Sequence, residues 1–491
     1  MKRKIPSIMF SQHPDHASVP FWHKRALIKT HDELKECFVL LSQLAGQEVM
    51  WDWEGKLVDD SVIERLLSRY PEFFAKNHIG RDVFLTFRVP NPRIESGYRL
   101  GRAFMVILAA EEIAKEAGVG ARPLFEVILP MTETATEMIS LRESFKRIAE
   151  ATHSSFSPSK NGGSTLEVVP IFESVESILQ SPLILKEYLA ISKKTFNEPV
   201  SYIRPFLARS DPALNSGIVA TTLAIKQALS DYVELEKSLG VRLYPITAPG
   251  ALPFRGGLTP DSVADFLDEF CGIRTLVIQG AFRYDYPKAA VQKALSYIQQ
   301  KLHKTKVKRV SKSQTKEIHR AIQLFESHYK KSIDAVAPNI SALAVYIPSR
   351  RERVQHIGLF GYSRQVGKHA LPRAIGFTAA GYSLGIPPEF FGLAAALDEA
   401  KRQGLLEIVH EFYPGIKTAI RKAGRYVAKT STLSNKERNT IEKFISQSLG
   451  PQTRSEKEHE LLVSRIISEF RKGNNPHDLI EKAAILRKSI G

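Results

Sequence analysis

Short runs of almost unbroken hydrophobic residues recur along this chain, and they constrain its fold more than any other feature. They are EVMWDW (48–53), VFLTFRV (83–89), LFEVILPM (124–131), LEVVPIF (166–172), VSYIRPFLA (200–208), RLYPIT (242–247), TLVIQGAF (275–282) and ALAVYIP (342–348). Runs of this kind, without polar alternation, mark strands buried on both faces, as in a parallel sheet covered by helices. Amphipathic stretches of helical length lie between several of them, at 97–117, 133–152, 217–239 and 260–271. Eight such strands alternating with helices predict an α/β fold, a closed (β/α)8 barrel of the TIM type. Helical patterns at 287–303 and 313–333 predict an insertion over 287–335, and beyond Glu389 the chain reads as helix after helix. The barrel with its insertion is assigned residues 1–415. Residues 416–491 form a helical extension, packed on the barrel or at a subunit interface.

Composition narrows the function classes. The 491 residues exceed an average domain, but barrels of this kind run long as single units. The two cysteines, Cys37 and Cys271, lie far apart without CxxC spacing, which argues against a disulfide framework or a zinc site and suits a reducing cytoplasm. The basic start MKRKIPSIMF is followed by no apolar core of a signal peptide, and no run of about 18 apolar residues marks a membrane span. Lys and Arg number 69 against 52 Asp and Glu, a net charge of +17, so the partner classes are anionic. The most basic segment, KLHKTKVKRVSK at 301–312, lacks the aromatic residues that stack bases and reads as a solvated connector.

Other charges collect where the strands end, the face on which barrel enzymes build their sites. Arg88 closes one run; Glu173 closes another; Arg209 and Asp211 follow a third. Arg255 precedes Gly256 and Gly257, Gln279 lies in the last part of the seventh run with Arg283 and Tyr284 just after it, and Arg350, Arg351 and Arg353 follow the eighth. Two acids among several arginines fit a divalent cation beside an anionic substrate. Mg2+ or Mn2+ takes oxygen ligands from one or two carboxylates plus the substrate, and arginine grips phosphate or carboxylate bidentately. Glycines would let backbone N–H groups approach an anion. Any single arginine is more simply a surface ion pair, but that reading weakens when the pattern repeats around a barrel. Glu126, in mid-strand, is as consistent with pairing to a barrel arginine as with catalysis.

Several segments carry a family likeness: SQHPDH, MWDWEGK, TFRVPNP, FEVILPM, ARSDPALNSG, LPFRGG, AFRYDYP, PSRRERVQHIGLFGYSR and LPRAIGFTAAGYSLGIPPEFFG. Over nearly its whole length the sequence resembles the archaeal-type phosphoenolpyruvate carboxylases. The resemblance implies a Mg2+-dependent (or Mn2+-dependent) barrel, usually a homotetramer, that adds bicarbonate to phosphoenolpyruvate and yields oxaloacetate and phosphate through carboxyphosphate and an enolate. The larger bacterial and plant carboxylases carry shorter forms of the same motifs. By that match, Glu173 and Asp211 hold the metal, and His13, Arg88, Arg255, Arg350 and Arg373 are catalytic. Arg209, Gly256, Gly257, Arg283 and Arg351 complete the implied substrate site.

The chain departs from the larger enzymes twice: PALN stands where they have a lysine after the metal aspartate, and LTPD where they have a second loop arginine. Lys368, Arg209 or Arg283 are candidates for the missing charge. Taken alone, a histidine near an N-terminus is usually idle; the motif is what selects His13 over His16. Trp51 and Trp53 read as packing residues. The implied partners are phosphoenolpyruvate and bicarbonate, with no nucleic acid and no membrane. Two other readings stand beside this one: a citrate-lyase-like, Mg2+-dependent carbon–carbon lyase on a barrel, and a nucleic-acid-binding protein resting on net charge alone.

Overall fold

The computed structural model describes residues 4–53, 58–95, 97–156, 165–352, 364–366 and 369–491. Eight parallel strands close into a barrel, numbered here in chain order. They are β1 Ile8–Phe10, β2 Glu48–Asp52, β3 Phe84–Arg88, β4 Glu126–Leu129, β5 Glu167–Phe172, β6 Phe206–Leu207, β7 Ile246–Thr247 and β8 Thr275–Ile278. β1 pairs with both β2 and β8, so the sheet has no edge. The (β/α)8 architecture is as the hydrophobic runs predicted.

Two strand assignments change. The first strand is Ile8–Phe10, three residues that do not stand out in the sequence. The run at 342–348 is not a strand. A single helix, Lys312–Ala344, runs into it, burying Ile333, Ala337, Ile340 and Leu343 at helical spacing. A short apolar run has no period of its own, and here the period of the preceding helix extends through it. Each remaining strand therefore moves up one place. The helix Lys288–Lys301 does not interrupt the barrel but closes it, packing on β1 and on the helix Val263–Glu269. The runs at 200–208 and 242–247 each divide in two. Tyr202–Ile203 pairs with Arg242–Leu243 outside the ring, and only the second half of each run enters it.

Side chains fill the barrel, as the fold requires. Met9, Met50, Ile128, Val169, Ile171, Phe206, Ile246 and Val277 form its interior, while Trp51 and Trp53 pack between sheet and helices. Below this layer lies a buried ion network. Arg204 donates to Glu48 at 2.6 and 2.9 Å and to Glu126 at 2.8 Å. Glu126 is thus a structural partner of a barrel arginine.

The C-terminal helices return to the mouth of the barrel. Arg350 pairs with Glu481 at 2.6 Å, and the backbone N–H of Ile490 donates to the carbonyl of Asp15 at 2.8 Å. The connector at 301–312 lies along the surface, held by a Lys308–Glu411 ion pair at 3.2 Å and by Val310 N–H on Ser230 Oγ at 2.9 Å. Both cysteines are free thiols.

Candidate active site

Glu173 and Asp211 stand at the tips of adjoining strands. β5 and β6 pair Phe172 with Leu207; Glu173 follows the first directly, and Asp211 enters the first turn of the helix Ser210–Leu239. Both are half-buried. Glu173 is fixed from β4: the N–H of Met131 donates to its Oε1 at 3.3 Å. Met131 has φ of 51°, a left-handed conformation uncommon for a side chain of its size, and strain of this kind concentrates at functional sites.

His13 follows β1, with Nδ1 at 2.8 Å from Ser11 Oγ. Its neighbours pin the loop. Gln12 Oε1 accepts the N–H of Asp52, and Asp52 accepts from Arg88 Nε at 2.9 Å, so the tips of β1, β2 and β3 form one chain of contacts. Asp15, fully buried, accepts the N–H of Ala281 at 2.9 Å and pairs with Arg255 at 3.2 Å. His16 turns inward, its Nε2 on the carbonyl of Ala26, and burial lowers it to about 3, so it stays neutral.

Arg255 is 1% exposed. Its guanidinium donates to Ser210 Oγ at 3.1 Å, to Asp15 Oδ2, to Gln279 Oε1 and to the Gly491 carbonyl at 2.6 Å. It ties the β6, β7 and β8 tips to the His13 loop rather than standing open to a ligand. The glycines after it have φ of 123° and 73°, which an L side chain rarely adopts. Their N–H groups close the turn itself, donating to Pro253 and Leu252. In this structure the N–H groups of Gly256 and Gly257, expected to face an anion, are taken up by the turn that the glycines shape.

Three further arginines expected at the substrate are bound elsewhere. Arg283 donates to the carbonyls of Ser11 and Ile278 and pairs with Glu36 at 3.3 Å. Arg351, fully buried, pairs with Glu36 at 2.7 Å and Glu33 at 3.2 Å. Burial opposes the charge on Glu36, but Arg351 and Arg283 hold its carboxyl below the usual range. Arg209 donates from Nη1 to the carbonyl of Phe254 at 3.3 Å, and it lines a cavity of about 310 Å³ between the glycine turn and the helices Val263–Glu269 and Ile416–Gly424. Burial weakens its hold on its proton. Each of these side chains is buried, and sequence position alone could not show which way it turns.

Arg350 also supports rather than faces the site, donating to the carbonyls of His16 and Ala17 at 3.0 Å. Arg88 and Arg373 are partly exposed. Arg373 stands just before the helix Ala374–Ser383, whose first turn packs on Gly491, the residue that meets Arg255. Lys368 and Arg353 lie outside the described residues. Asp15, Gln12 and Asp52 were missed as site-building residues. The acid of SQHPDH, beside the motif histidine, was the available signal for the first.

Similar proteins bear on this arrangement. A family model described as phosphoenolpyruvate carboxylase matches residues 5–491. A phosphoenolpyruvate carboxylase of Leuconostoc mesenteroides is 36% identical, covering 100% of this chain and 99% of its own. One from Pyrococcus abyssi is 39% identical over 86% of this chain and 88% of its own. One from Methanothermobacter thermautotrophicus is 34% identical over 99% and 100%. A solved Haloferax volcanii malate synthase magnesium/glyoxylate complex aligns at 12% identity over 60% of this chain and 75% of that one, with a TM-score of 0.35, too low to support any inference. With a family match over nearly its whole length and full-length relatives in bacteria and archaea, the chain belongs to the phosphoenolpyruvate carboxylase family, in its archaeal-type form.

Proposed function

We propose that the barrel mouth carboxylates phosphoenolpyruvate with bicarbonate, forming oxaloacetate and phosphate. The observation that carries this reading is the pair of acids on adjoining strand tips, Glu173 and Asp211, in one mouth with the braced His13 loop. Among the described residues no group of three or more His, Cys, Asp or Glu is placed to hold a metal. Two carboxylates are a donor set that suits Mg2+ or Mn2+, hard cations that complete their shells with water and substrate oxygens. When bound, the cation would be held by Glu173 and Asp211 and would offset charge on the substrate's oxygens.

The residues of the chain divide the remaining work. Arg88 and Arg373, partly exposed, bind the phosphate and carboxylate of phosphoenolpyruvate. A bicarbonate oxygen attacks phosphorus, the bond from phosphorus to the enol oxygen breaks, and carboxyphosphate and the pyruvate enolate result. His13 accepts the carboxyl proton of carboxyphosphate, whose C–O bond then breaks to release CO2 and phosphate. For Nε2 to accept that proton, Nδ1 must carry its own hydrogen and donate it to Ser11 Oγ, which lies at 2.8 Å. C3 of the enolate then bonds to CO2. Ala208 and Ala248, just past β6 and β7, give the mouth an apolar floor that shields CO2 from water. Arg255 and Arg350 serve by holding the loops in register.

The family match over residues 5–491 favours carboxylation over carbon–carbon cleavage. A homotetramer in the cytoplasm is proposed on the family likeness. No helix among the described residues is long and apolar enough to cross a membrane. A nucleic-acid role is not proposed, since the basic connector is docked on the protein's own acids. Incubating the protein with phosphoenolpyruvate and Mg2+, with and without bicarbonate, tests the reading. Oxaloacetate should form only when bicarbonate is present; no oxaloacetate under any condition would refute it.

A further inference from the structure

Behind the glycine turn lies a buried carboxyl that the reaction above does not use. Glu389 sits in the short 3-10 turn Pro388–Phe390 and is 3% exposed. Its Oε1 accepts the backbone N–H of Phe254 at 2.7 Å and the hydroxyl of Tyr382 at 2.8 Å. Its Oε2 is buried with no hydrogen-bond partner. The carbonyl of the same Phe254 accepts from Arg209 Nη1 at 3.3 Å. Both backbone polar groups of one residue are thus held by charged side chains, and the next residue is Arg255.

We propose that Glu389 is a positioning residue: with Arg209 it clamps the Phe254 backbone and so sets the Arg255–Gly257 turn that braces the His13 loop. The inference rests on the carboxylase reading. The groups facing Glu389 are Arg209, Tyr382 from the helix Ala374–Ser383, Tyr329 from the helix Lys312–Ala344, and Tyr413. Burial pushes the Glu389 carboxyl up to about 7, while Tyr382, the Phe254 N–H and Arg209 pull it down. Ionisation strengthens the hydrogen bond from Phe254 and draws Arg209 into the clamp. Protonation leaves a buried hydroxyl to satisfy. The clamp is therefore tight above neutrality and loose below it.

The stability contribution runs the other way. A carboxyl raised in the folded state stabilises the fold most below its unfolded value near 4.5, and that contribution is lost as pH rises through about 7. Stability and turnover thus respond oppositely to the same proton, which a purely structural carboxyl would not produce.

The test compares kcat for oxaloacetate formation by the wild type, Glu389→Gln and Tyr382→Phe from pH 6 to 9, with melting temperatures on the same preparations. The glutamine keeps an acceptor for Phe254 and Tyr382 but stays neutral. Its kcat relative to wild type should be about one half at pH 6 and about one tenth by pH 8, the effect of losing a charge-assisted hydrogen bond. Its melting temperature should gain on wild type over the same interval. Tyr382→Phe removes a donor that favours the ionised form, so its rising limb should shift to higher pH. A kcat ratio that stays flat with pH in a folded Glu389→Gln protein, with no shift in Tyr382→Phe, would overturn the proposal. If the wild type made no oxaloacetate, the functional reading would fail instead, so the two failures are distinguishable.

Discussion

Asp211 lies in the first turn of a helix, where an acid is also favoured by the helix dipole, so its position alone does not prove a role in metal binding. Chemistry separates the two. Asp211→Asn keeps the size and much of the capping ability but makes a neutral, poorer ligand for a hard cation. Loss of a residue that merely orients a metal ligand costs about 10–100-fold, so loss of the ligand itself should cost at least about 100-fold in kcat/KM at fixed Mg2+. Circular dichroism and Mg2+ titration of activity check this; wild-type metal dependence in the variant would assign Asp211 to the helix alone. At this scale the sequence was most legible for acids and least for arginines. Glu173 directly follows a hydrophobic strand and Asp211 comes a few residues after the next one, and the fold sets both at the strand tips. Arg283 and Arg351 also follow apolar runs, yet both turn back onto Glu36, which lies some 250 or more residues away and is 2% exposed. Nothing in a local motif announces a distant buried partner.

The elements that carry these residues are short, and breaks matter as much as strands. The helix Ser210–Leu239 is interrupted at Gly217, whose φ of 79° and ψ of 167° belong to glycine almost alone. The break sets the seven residues bearing Asp211 at their own angle to the long helix behind them. A Cβ at Gly217 would also lie 3.1 Å from the ring of Tyr329. Gly217→Ala should therefore cost about 1–3 kcal/mol and weaken apparent Mg2+ affinity by moving Asp211. Chemical denaturation and a Mg2+ titration measure the two effects; an unchanged midpoint and affinity would mean the break is incidental. The sequence reading began this helix at 217, at the observed break. It failed at β1 because three residues carry no periodicity, and at 342–348 because a helix end and a strand look alike over seven residues.

Across the whole molecule the barrel divides its labour between its ends. The N-terminal end is closed by Arg204 with Glu48 and Glu126, none near the residues assigned to the reaction. Arg204→Met would leave two buried carboxylates without their cation, which costs about 3–5 kcal/mol. The melting temperature should fall while KM and kcat of the folded enzyme stay at wild-type values; a selective loss of kcat would break the division. The C-terminal end depends on segments far apart in the chain: Asp15, Arg255, Gln279 and Gly491 meet around one guanidinium. The family likeness reached both Arg255 and His13, but only the folded chain shows that they are joined. In the proposed reaction this mouth transfers phosphate to bicarbonate before carbon joins carbon. Supplying bicarbonate labelled with ¹⁸O at all its oxygens, with phosphoenolpyruvate and Mg2+, tests it directly by mass spectrometry of both products. One labelled oxygen should appear in each phosphate and two in the new carboxylate of oxaloacetate; phosphate free of label would contradict it.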